Sequence, residues 1–214
     1  MGEIAQLLFP QRCVGCSRSS GLLCRKCAGE WSKPIKKIVG GIELTSSAYY
    51  SLSISHIVLK AKENNDSRSR LVLANAIASH IRESSLIVPI PSSSAAIRRR
   101  GFDHSLLLAK EVARVSGSIV WHPLHVIRRV KDQTQLTHQE RLTNLAGSYA
   151  LRSGNAPGEK VVLIDDLVTT GASLREAIRA LHEAQIRPIQ AISACIASYH
   201  LPNTISPGYY PVGP

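Results

Sequence analysis

Short apolar runs alternate along the chain with segments in which apolar residues recur every three or four positions. The runs at 86–90 and 161–164 are typical of buried parallel strands. Helical spacing of apolar residues predicts amphipathic helices near residues 54–61, 68–83, 104–113 and 174–184. Further strands are expected near residues 42–49, 118–121 and 188–197. This alternation predicts an α/β fold with a mostly parallel sheet flanked by helices.

The segment at residues 161–173 is the most informative part of the chain. It reads Val-Val-Leu-Ile-Asp-Asp-Leu-Val-Thr-Thr-Gly-Ala-Ser. We expect the strand to end at Asp165 and Asp166, and a loop of small residues to lead from there into the next helix. Ligands of open α/β sheets bind beyond the carboxyl ends of the strands. The segment is therefore predicted to form a binding site.

The residue types in this loop suit a phosphorylated sugar. A helix N-terminus offers unpaired N–H groups to a phosphate, and Gly171 permits close approach and a positive φ. The hydroxyls of Thr169, Thr170 and Ser173 are further donors, and Ser173 is also expected to cap the helix. The neighbouring carboxylates of Asp165 and Asp166 would repel a phosphate unless the ribose lay between the phosphate and the carboxylates. The sequence lacks the Gly-Lys-Ser/Thr and Gly-x-Gly-x-x-Gly patterns of other phosphate loops at this position, so ribose 5-phosphate is the predicted ligand.

Four of the five cysteines form the pattern Cys-x2-Cys-x7-Cys-x2-Cys near the N-terminus. Such pairs supply four thiolates to a tetrahedral Zn²⁺ and leave no position for water, so the predicted zinc site is structural. The segment is too short for a hydrophobic core of its own, and the metal should supply most of its folding energy. Disulfides and a redox pair are the alternatives, and a reducing cytosol disfavours the first. The predicted ligands are Cys13, Cys16, Cys24 and Cys27.

Composition narrows the class of ligand. The formal net charge of +11 suits polyanions such as pyrophosphate, nucleotides or nucleic acid. Aromatic residues are only 5% of the chain, which argues against a base-stacking surface for single strands. The basic residues between Arg12 and Lys37 are consistent with nucleic-acid contact or with a merely solvated surface. With no long apolar run and no secretory signal, we expect a cytoplasmic protein without membrane insertion.

Several motifs occur in an order that resembles a known family. After the cysteines come Leu59-Lys60, Val88-Pro89-Ile90-Pro91, the Arg-Arg-Gly-Phe that ends at Phe102, Gln135 with Arg141-x-x-Asn144, and the segment at 161–173. This order is similar to the ComF/GntX family of competence-associated, phosphoribosyltransferase-like proteins over residues 10–197. The last segment resembles the 5-phosphoribosyl 1-pyrophosphate (PRPP) motif of type I phosphoribosyltransferases. Two positions depart from the family: Asp103 replaces its usual Asn, and Ser92-Ser93 replaces a Leu-His-like pair.

The resemblance implies roles for residues around the predicted site. Asp165 and Asp166 would be the catalytic pair, holding the ribose diol while Mg²⁺ bridges the pyrophosphate and the ribose hydroxyls. The segment 128–144 would be a loop that closes over PRPP. The phosphate-binding residues would be Val168, Thr169, Thr170, Gly171, Ala172 and Ser173. The candidates on the pyrophosphate side are Ser92, Ser93, Arg98, Arg99, Arg100, Arg128, Arg129 and Arg141.

The resemblance also implies a domain division and a function. We expect a zinc-knuckle module at 1–39, a phosphoribosyltransferase-like domain at 42–198 and a disordered tail at 199–214. The expected protein binds PRPP or ribose 5-phosphate and takes part in competence, DNA uptake or nucleotide metabolism. Alternatives are a non-catalytic sensor of PRPP or a nucleotide, and a factor in single-stranded DNA uptake that acts with a helicase. Transfer of a pentosyl group to an acceptor is the expected reaction, and no residue identifies that acceptor.

Overall fold

A six-stranded sheet lies at the centre of the computed structural model, which describes residues 11–127, 145–152 and 160–197. In the order β1-β2-β8-β7-β3-β4, all neighbouring strands run parallel except β1 and β2. Strands β5 and β6 form a separate antiparallel ribbon. The predicted mostly parallel sheet is confirmed. The strands are β1 (Ile35–Val39), β2 (Ile42–Tyr49), β3 (Leu86–Pro89), β4 (Ile119–Val120), β5 (Leu124–Val126), β6 (Tyr149–Leu151), β7 (Val161–Val168) and β8 (Gln190–Ile196).

Helices cover both faces of this sheet. On one face, Ile57 and Leu108 from two helices pack against Ile164 of β7. On the other face, Ala177 and the ribbon residue Leu124 share a core with Leu163. The predicted flanking helices are therefore confirmed. The helices are α1 (Arg25–Gly29), α2 (Leu52–Glu63), α3 (Ser67–Ala78), α4 (Ser94–Arg100), α5 (His104–Ser116) and α6 (Ala172–Glu183).

Local sequence signals explain where the helices begin. Asp66 caps α3 by accepting a hydrogen bond from the Ser69 N–H at 2.8 Å, and Asp103 caps α5 in the same way with Leu106 at 3.2 Å. α3 ends at Ala78, earlier than the apolar periodicity to residue 83 predicts. None of the described helices is both long and apolar enough to cross a membrane.

Strand β7 continues past the point where its sequence changes from apolar to acidic. We expected it to end at Asp165 and Asp166, but it runs to Val168. The reason is the register with β8, in which Leu167 lies opposite Cys195 and Val168 opposite Ile196. Pairing with β8 occupies the backbone groups whatever the side chains are, so two carboxylates do not terminate the strand.

The N-terminal segment is joined to the sheet through a hairpin. β1 pairs antiparallel with β2, from Ile35 opposite Ser46 to Val39 opposite Ile42. The boundary expected between residues 39 and 42 is the turn of this hairpin, and β1 is an edge strand of the main sheet. The segment expected to form a disordered tail, 199–214, lies outside the described residues.

Candidate functional site

The loop after β7 brings a helix N-terminus close to the end of the strand. Gly171 has φ +74° and ψ +9°, the left-handed conformation expected from the sequence, and precedes the first residue of α6. The Thr170 hydroxyl accepts a hydrogen bond from the Ala172 N–H at 3.2 Å, and the Arg175 guanidinium donates to the Thr170 carbonyl at 2.8 Å. These bonds fix the loop in a shape that presents the first turn of α6 at the carboxyl edge of the sheet.

Gly171 is required by space as well as by conformation. A Cβ added there would lie 3.1 Å from Cγ1 of Val39 and 3.3 Å from Nη1 of Arg175. The loop is therefore pressed against the edge strand β1. This contact makes the N-terminal hairpin part of the wall of the site.

Ser173 differs from its expected capping role. The N-cap position is Gly171, which makes no side-chain capping bond, so Ser173 lies within the first turn of α6. Its side chain lies beside the phenol of Tyr149, which is only 4% exposed. Burial raises the pKa of the Tyr149 phenol well above its usual value, and the neighbouring Ser173 hydroxyl partly opposes that shift. Ser173 thus links the loop to the ribbon, and Tyr149 is a site residue that the sequence did not reveal.

The ribbon is attached to α6 by a buried ion pair. Glu176 is 5% exposed and accepts a hydrogen bond from the Tyr149 N–H at 3.0 Å. Arg179 binds the Glu176 carboxylate at 2.7 Å and the Tyr149 carbonyl at 2.9 Å. Tyr149 is held through both its N–H and its carbonyl, which places its phenol beside the loop.

Asp166 is buried and lies between a lysine and a histidine. Its carboxylate oxygen Oδ2 lies 3.2 Å from Lys62 Nζ of α2 and 3.2 Å from His104 Nε2 of α5. Its side chain is 6% exposed and that of His104 is 2% exposed. Burial alone would favour the neutral acid, but Lys62 and His104 outweigh burial and hold the pKa of Asp166 well below its usual range. Asp166 is therefore a fixed negative charge.

Asp165 has the opposite electrostatic character. It is half-buried, and its carboxylate accepts a hydrogen bond from the Asp166 N–H at 2.9 Å. Burial and the neighbouring Asp166 charge raise the pKa of Asp165 well above its usual value, although Lys62 partly opposes them. The surroundings therefore disfavour the charged form of Asp165, and a cation or a group of hydrogen-bond donors would favour it.

The two acids differ in their surroundings, although their carboxylates influence each other. Asp166 contacts Lys62 of α2 and His104 of α5. Asp165 is half-buried, and its charge influences both Lys62 and Tyr149 of the ribbon. The expectation that both acids bind the ribose diol stays a prediction. Asp165 is the more exposed of the two, whereas Asp166 is already in contact with Lys62 and His104.

The three consecutive arginines of α4 have different surroundings. Arg99 binds the Glu63 carboxylate through two nitrogens, at 2.7 and 3.1 Å, and Arg98 is exposed. Arg100 has a side chain only 6% exposed, with Nε 3.7 Å from Glu63, and neither its Nε nor its Nη1 has a hydrogen-bond partner among the described residues. Arg100 also lowers the pKa of Lys62, which the stronger attraction of Asp166 raises. Arg100 therefore belongs to the charged cluster around Asp166.

The other residues expected on the pyrophosphate side divide into described and undescribed ones. Ser93 caps α4 by accepting a hydrogen bond from the Ala96 N–H at 3.2 Å, and the Ser92 hydroxyl lies 3.0 Å from that of Ser105. The remaining candidates lie outside the described residues: Arg128, Arg129 and Arg141.

Lys62 and His104 are two more site residues that sequence reasoning missed. Lys62 follows the apolar face of α2 by one position, which alone is compatible with a solvated charge. His104 is the first residue of α5, directly after the cap Asp103. The sequence thus predicted the helices near which both residues lie. Their burial beside Asp166 results from the packing of these helices against β7.

The four N-terminal cysteines come together as a metal site. Their sulfur atoms all lie within 4.8 Å of one another, and Cys16 Sγ is 3.6 Å from Cys24 Sγ. A tetrahedron with metal–sulfur bonds of about 2.3 Å has sulfur–sulfur edges of about 3.8 Å. Burial opposes ionisation of Cys13, but N–H groups including that of Cys24, 3.3 Å away, lower its pKa to about 6. The thiolate donor set fits a structural Zn²⁺ bound by Cys13, Cys16, Cys24 and Cys27.

A family model agrees with this geometry. The model described as a phosphoribosyl transferase domain matches residues 71–201, which include β7, the loop after it and α6. The match covers more than half of the chain.

Three curated proteins are similar to parts of the chain. Competence protein ComFC of Bacillus subtilis is 38% identical over 98 residues, which are 46% of this chain and 38% of the relative. Competence protein F of Haemophilus influenzae is 25% identical over 171 residues, or 76% of this chain and 68% of the relative. Orotate phosphoribosyltransferase of Novosphingobium aromaticivorans is 55% identical over 40 residues, or 18% of this chain and 21% of the relative.

A solved structure of the allosteric regulatory enzyme of purine biosynthesis is also similar. It is 20% identical with a TM-score of 0.38, over 59% of this chain and 25% of the other.

Proposed function

Because the chain belongs to the phosphoribosyl transferase domain family and, within it, to the ComF-like proteins, we propose that it binds PRPP at the end of β7. The 5-phosphate would occupy the loop 169–173 and the ribose would lie beside Asp165. The observation that carries the proposal is the left-handed Gly171, which joins a helix N-terminus to a strand that bears a half-buried, raised-pKa carboxyl.

In this proposal the two acids have different roles. Asp165 accepts hydrogen bonds from ribose hydroxyls and becomes ionised as they bind, because donors stabilise the carboxylate. Asp166 stays paired with Lys62 and His104 and makes the shared backbone rigid. Bound Mg²⁺ would offset the negative charge of the pyrophosphate.

The reaction in this proposal is a displacement at C1′ of the ribose. An acceptor nucleophile forms a bond to C1′, the bond to pyrophosphate breaks, and pyrophosphate leaves with the bonding electrons. The chain would supply positioning and charge: the fixed negative potential of β7 stabilises positive charge that develops at C1′. Arg98 is exposed on α4 and remains a candidate for the leaving pyrophosphate.

Calorimetric titration with PRPP, ribose 5-phosphate and nucleoside monophosphates in the presence of Mg²⁺ tests the binding proposal. The protein should bind PRPP, and Asp165→Asn should weaken that affinity by about ten-fold or more because a charged acceptor is lost. Glu111→Gln is the matched control, since Glu111 lies on α5 in a surface pair with Arg114. Failure of the unmodified protein to bind any of these compounds would refute the proposal.

Release of pyrophosphate from PRPP distinguishes a transferase from a sensor. The assay is run over purine and pyrimidine bases, ammonia and nucleosides as acceptors. Acceptor-dependent release identifies a transferase and its acceptor class. Binding of PRPP without release for any acceptor favours the non-catalytic sensor.

A role in competence is a second candidate, favoured by the printed names of two relatives. The basic residues of the N-terminal segment, among them Arg25 and Lys26, are exposed and available to a nucleic-acid backbone. If single-stranded DNA binds there, neutralising both should weaken binding at low salt and reduce the slope of log affinity against log salt by about 1–2. An unchanged slope would exclude these residues as the contact.

A further inference from the structure

Helix α2 contacts both the cysteine cluster and the charged cluster around Asp166. At its N-terminus, the hydroxyls of Ser51 and Ser53 both donate to the carboxylate of Glu30, which lies just beyond α1. Ser51 is also the N-cap of α2, accepting the Ile54 N–H at 3.3 Å. The beginning of the helix is therefore tied to the segment that contains Cys24 and Cys27.

Two further bonds tie the middle of α2 to the first cysteine pair. His56 Nδ1 lies 3.1 Å from the Gly15 carbonyl oxygen, and Lys60 Nζ donates to the Val14 carbonyl at 3.2 Å. Both carbonyls belong to the two residues between Cys13 and Cys16. Because these bonds involve backbone oxygens, they depend on the conformation of the loop between the two cysteines.

The C-terminal end of α2 makes the contacts at the sugar-phosphate side. Lys62 lies 3.2 Å from Asp166, and Glu63 binds Arg99 and faces Arg100 at 3.7 Å. Only one residue separates Lys60 from Lys62, so a shift of α2 that breaks the contact of Lys60 with Val14 also moves Lys62. A helix transmits such a shift as a nearly rigid body.

The conformation of the loop around Val14 and Gly15 depends on the cysteines. Gly15 lies against both the sulfur cluster and α2: a Cβ there would meet Cys27 Sγ at 3.1 Å and Ser53 Cβ at 3.4 Å. Val14 itself is 4% exposed and joins the core cluster of Ile54 and Ile57. The loop is thus held between the sulfur cluster on one side and α2 on the other, and metal binding stabilises the first of these.

We propose that metal held by the four cysteines fixes the position of α2 and thereby the pairing of Lys62 with Asp166. The metal site then acts on the sugar-phosphate site through the position of α2. Loss of metal loosens α2, frees Lys62 and lowers the affinity for sugar phosphate. The affinity part of this inference rests on the proposed function, and the structural part is independent of it.

The test compares the purified protein before and after removal of metal with a chelator. Peptide mass spectrometry measures amide hydrogen exchange across α2 and acylation of Lys62 by an amine-reactive ester. Removal of metal should accelerate both by at least about five-fold, because a local contact set is lost. Exchange in α6, which packs in the core on the other side of the sheet from Val14 and α2, is the internal control and should be unchanged.

Substitution of Lys60 tests the connection while all four cysteines remain. Lys60→Met removes the ammonium that donates to Val14 and keeps a long, helix-favouring side chain. Metal content should be unchanged by elemental analysis, and α2 should exchange about two- to five-fold faster. Lys26→Met is the matched control, since it makes the same charge change at an exposed position of α1.

Two results would overturn the inference. One is metal loss that accelerates exchange only within residues 11–30 and leaves α2 and Lys62 unchanged; the other is a purified protein that contains no bound metal. If removal of metal also accelerates exchange in α6, the Lys60→Met variant decides between the outcomes. Faster exchange of α2 in this variant supports the inference, and unchanged exchange of α2 contradicts it. If no sugar phosphate binds, the proposed function fails, while exchange and acylation still decide the structural part.

Discussion

The two adjacent acids of β7 are the same functional group in opposite electrostatic surroundings. Asp166 lies against Lys62 of α2 and His104 of α5, which hold its pKa well below the usual range. Asp165 is half-buried near Tyr149, and burial together with the Asp166 charge raises its pKa. Of these two adjacent aspartates, Asp166 thus helps to hold the structure together, and Asp165 is the one open to a ligand.

This difference shows that a paired acidic motif need not act as a symmetric pair. Strand geometry sends neighbouring side chains to different surroundings. The surroundings then decide for which acid the nearby cations outweigh the cost of burial and for which they do not. The comparison predicts that equivalent substitutions at 165 and 166 have effects of opposite sign on stability.

The largest effect is expected at Asp166. Asp166→Ala leaves Lys62 and His104 without their buried counter-ion and should lower the free energy of unfolding by about 2–4 kcal/mol. Urea denaturation followed by circular dichroism measures the change. Glu111→Ala, at a surface pair with Arg114, is the control and should change stability by less than about 0.5 kcal/mol. A variant as stable as the parent would show that the cluster does not hold β7 in place.

Gly171 should show the next largest effect, and Gly101 provides a matched comparison. Both have positive φ, +74° and +79°, so alanine costs about 1 kcal/mol at either position. A Cβ at 101 meets no atom within 4 Å, whereas one at 171 meets Val39 and Arg175. Gly171→Ala should therefore cost about 1 kcal/mol more than Gly101→Ala in the same denaturation experiment. Equal losses in the free energy of unfolding would mean that β1 moves aside for the added Cβ at no energetic cost.

Asp165→Asn should stabilise the fold while it weakens ligand binding. The folded pKa of Asp165 is raised, so its stabilising contribution is full below the ordinary value of 3.8 and is lost as pH rises through the raised pKa. The neutral amide avoids that loss and should raise the thermal midpoint by roughly 2–4 °C at neutral pH.

The pH profile provides the internal control for Asp165→Asn. The gain from the amide should vanish near pH 4, where the carboxyl is already protonated. For Asp166 the sign is reversed, since its pKa is lowered: its contribution is present above 3.8 and is lost as pH falls through the lowered value. A constant gain from Asp165→Asn at all pH values would contradict the raised pKa.

The smallest effect is expected from the contact between the side chains of Tyr149 and Ser173. Tyr149→Phe and Ser173→Ala should each cost about 0.5–1.5 kcal/mol, because each removes a hydroxyl from a buried polar contact. The double variant should cost less than the sum of the two, because both single changes act on the same contact. Strict additivity in chemical denaturation would mean that this contact does not connect the ribbon to the loop.

The local features of this molecule could be predicted from sequence. Apolar spacing placed the strand at 161–164 and the helix beginning near Leu174. The cysteine spacing predicted a cluster that the structure confirms. The motif order predicted the family, which the comparisons confirm. Each of these signals lies within a short window of sequence.

The features that could not be predicted depend on distant parts of the chain. Lys62 and Asp166 are over a hundred positions apart, and only the packing of α2 on the sheet brings them together. The extension of β7 through its acids depends on pairing with β8, and the position of Ser173 depends on Tyr149 of the ribbon. No periodicity within β7 or α6 contains that information.

The edge hairpin determines how this protein can be shortened. Val39 is 7% exposed and lies behind Gly171, and a Cβ on Gly40 would come within 2.8 Å of Ile178 Cδ1. A truncated protein that starts at residue 42 would keep every residue of the family motif yet lose this lateral support. Its newly uncovered β2 edge and the apolar side of α6 would favour self-association. Expression of the minimal transferase-like region should therefore begin before Ile35, so that β1 remains in place.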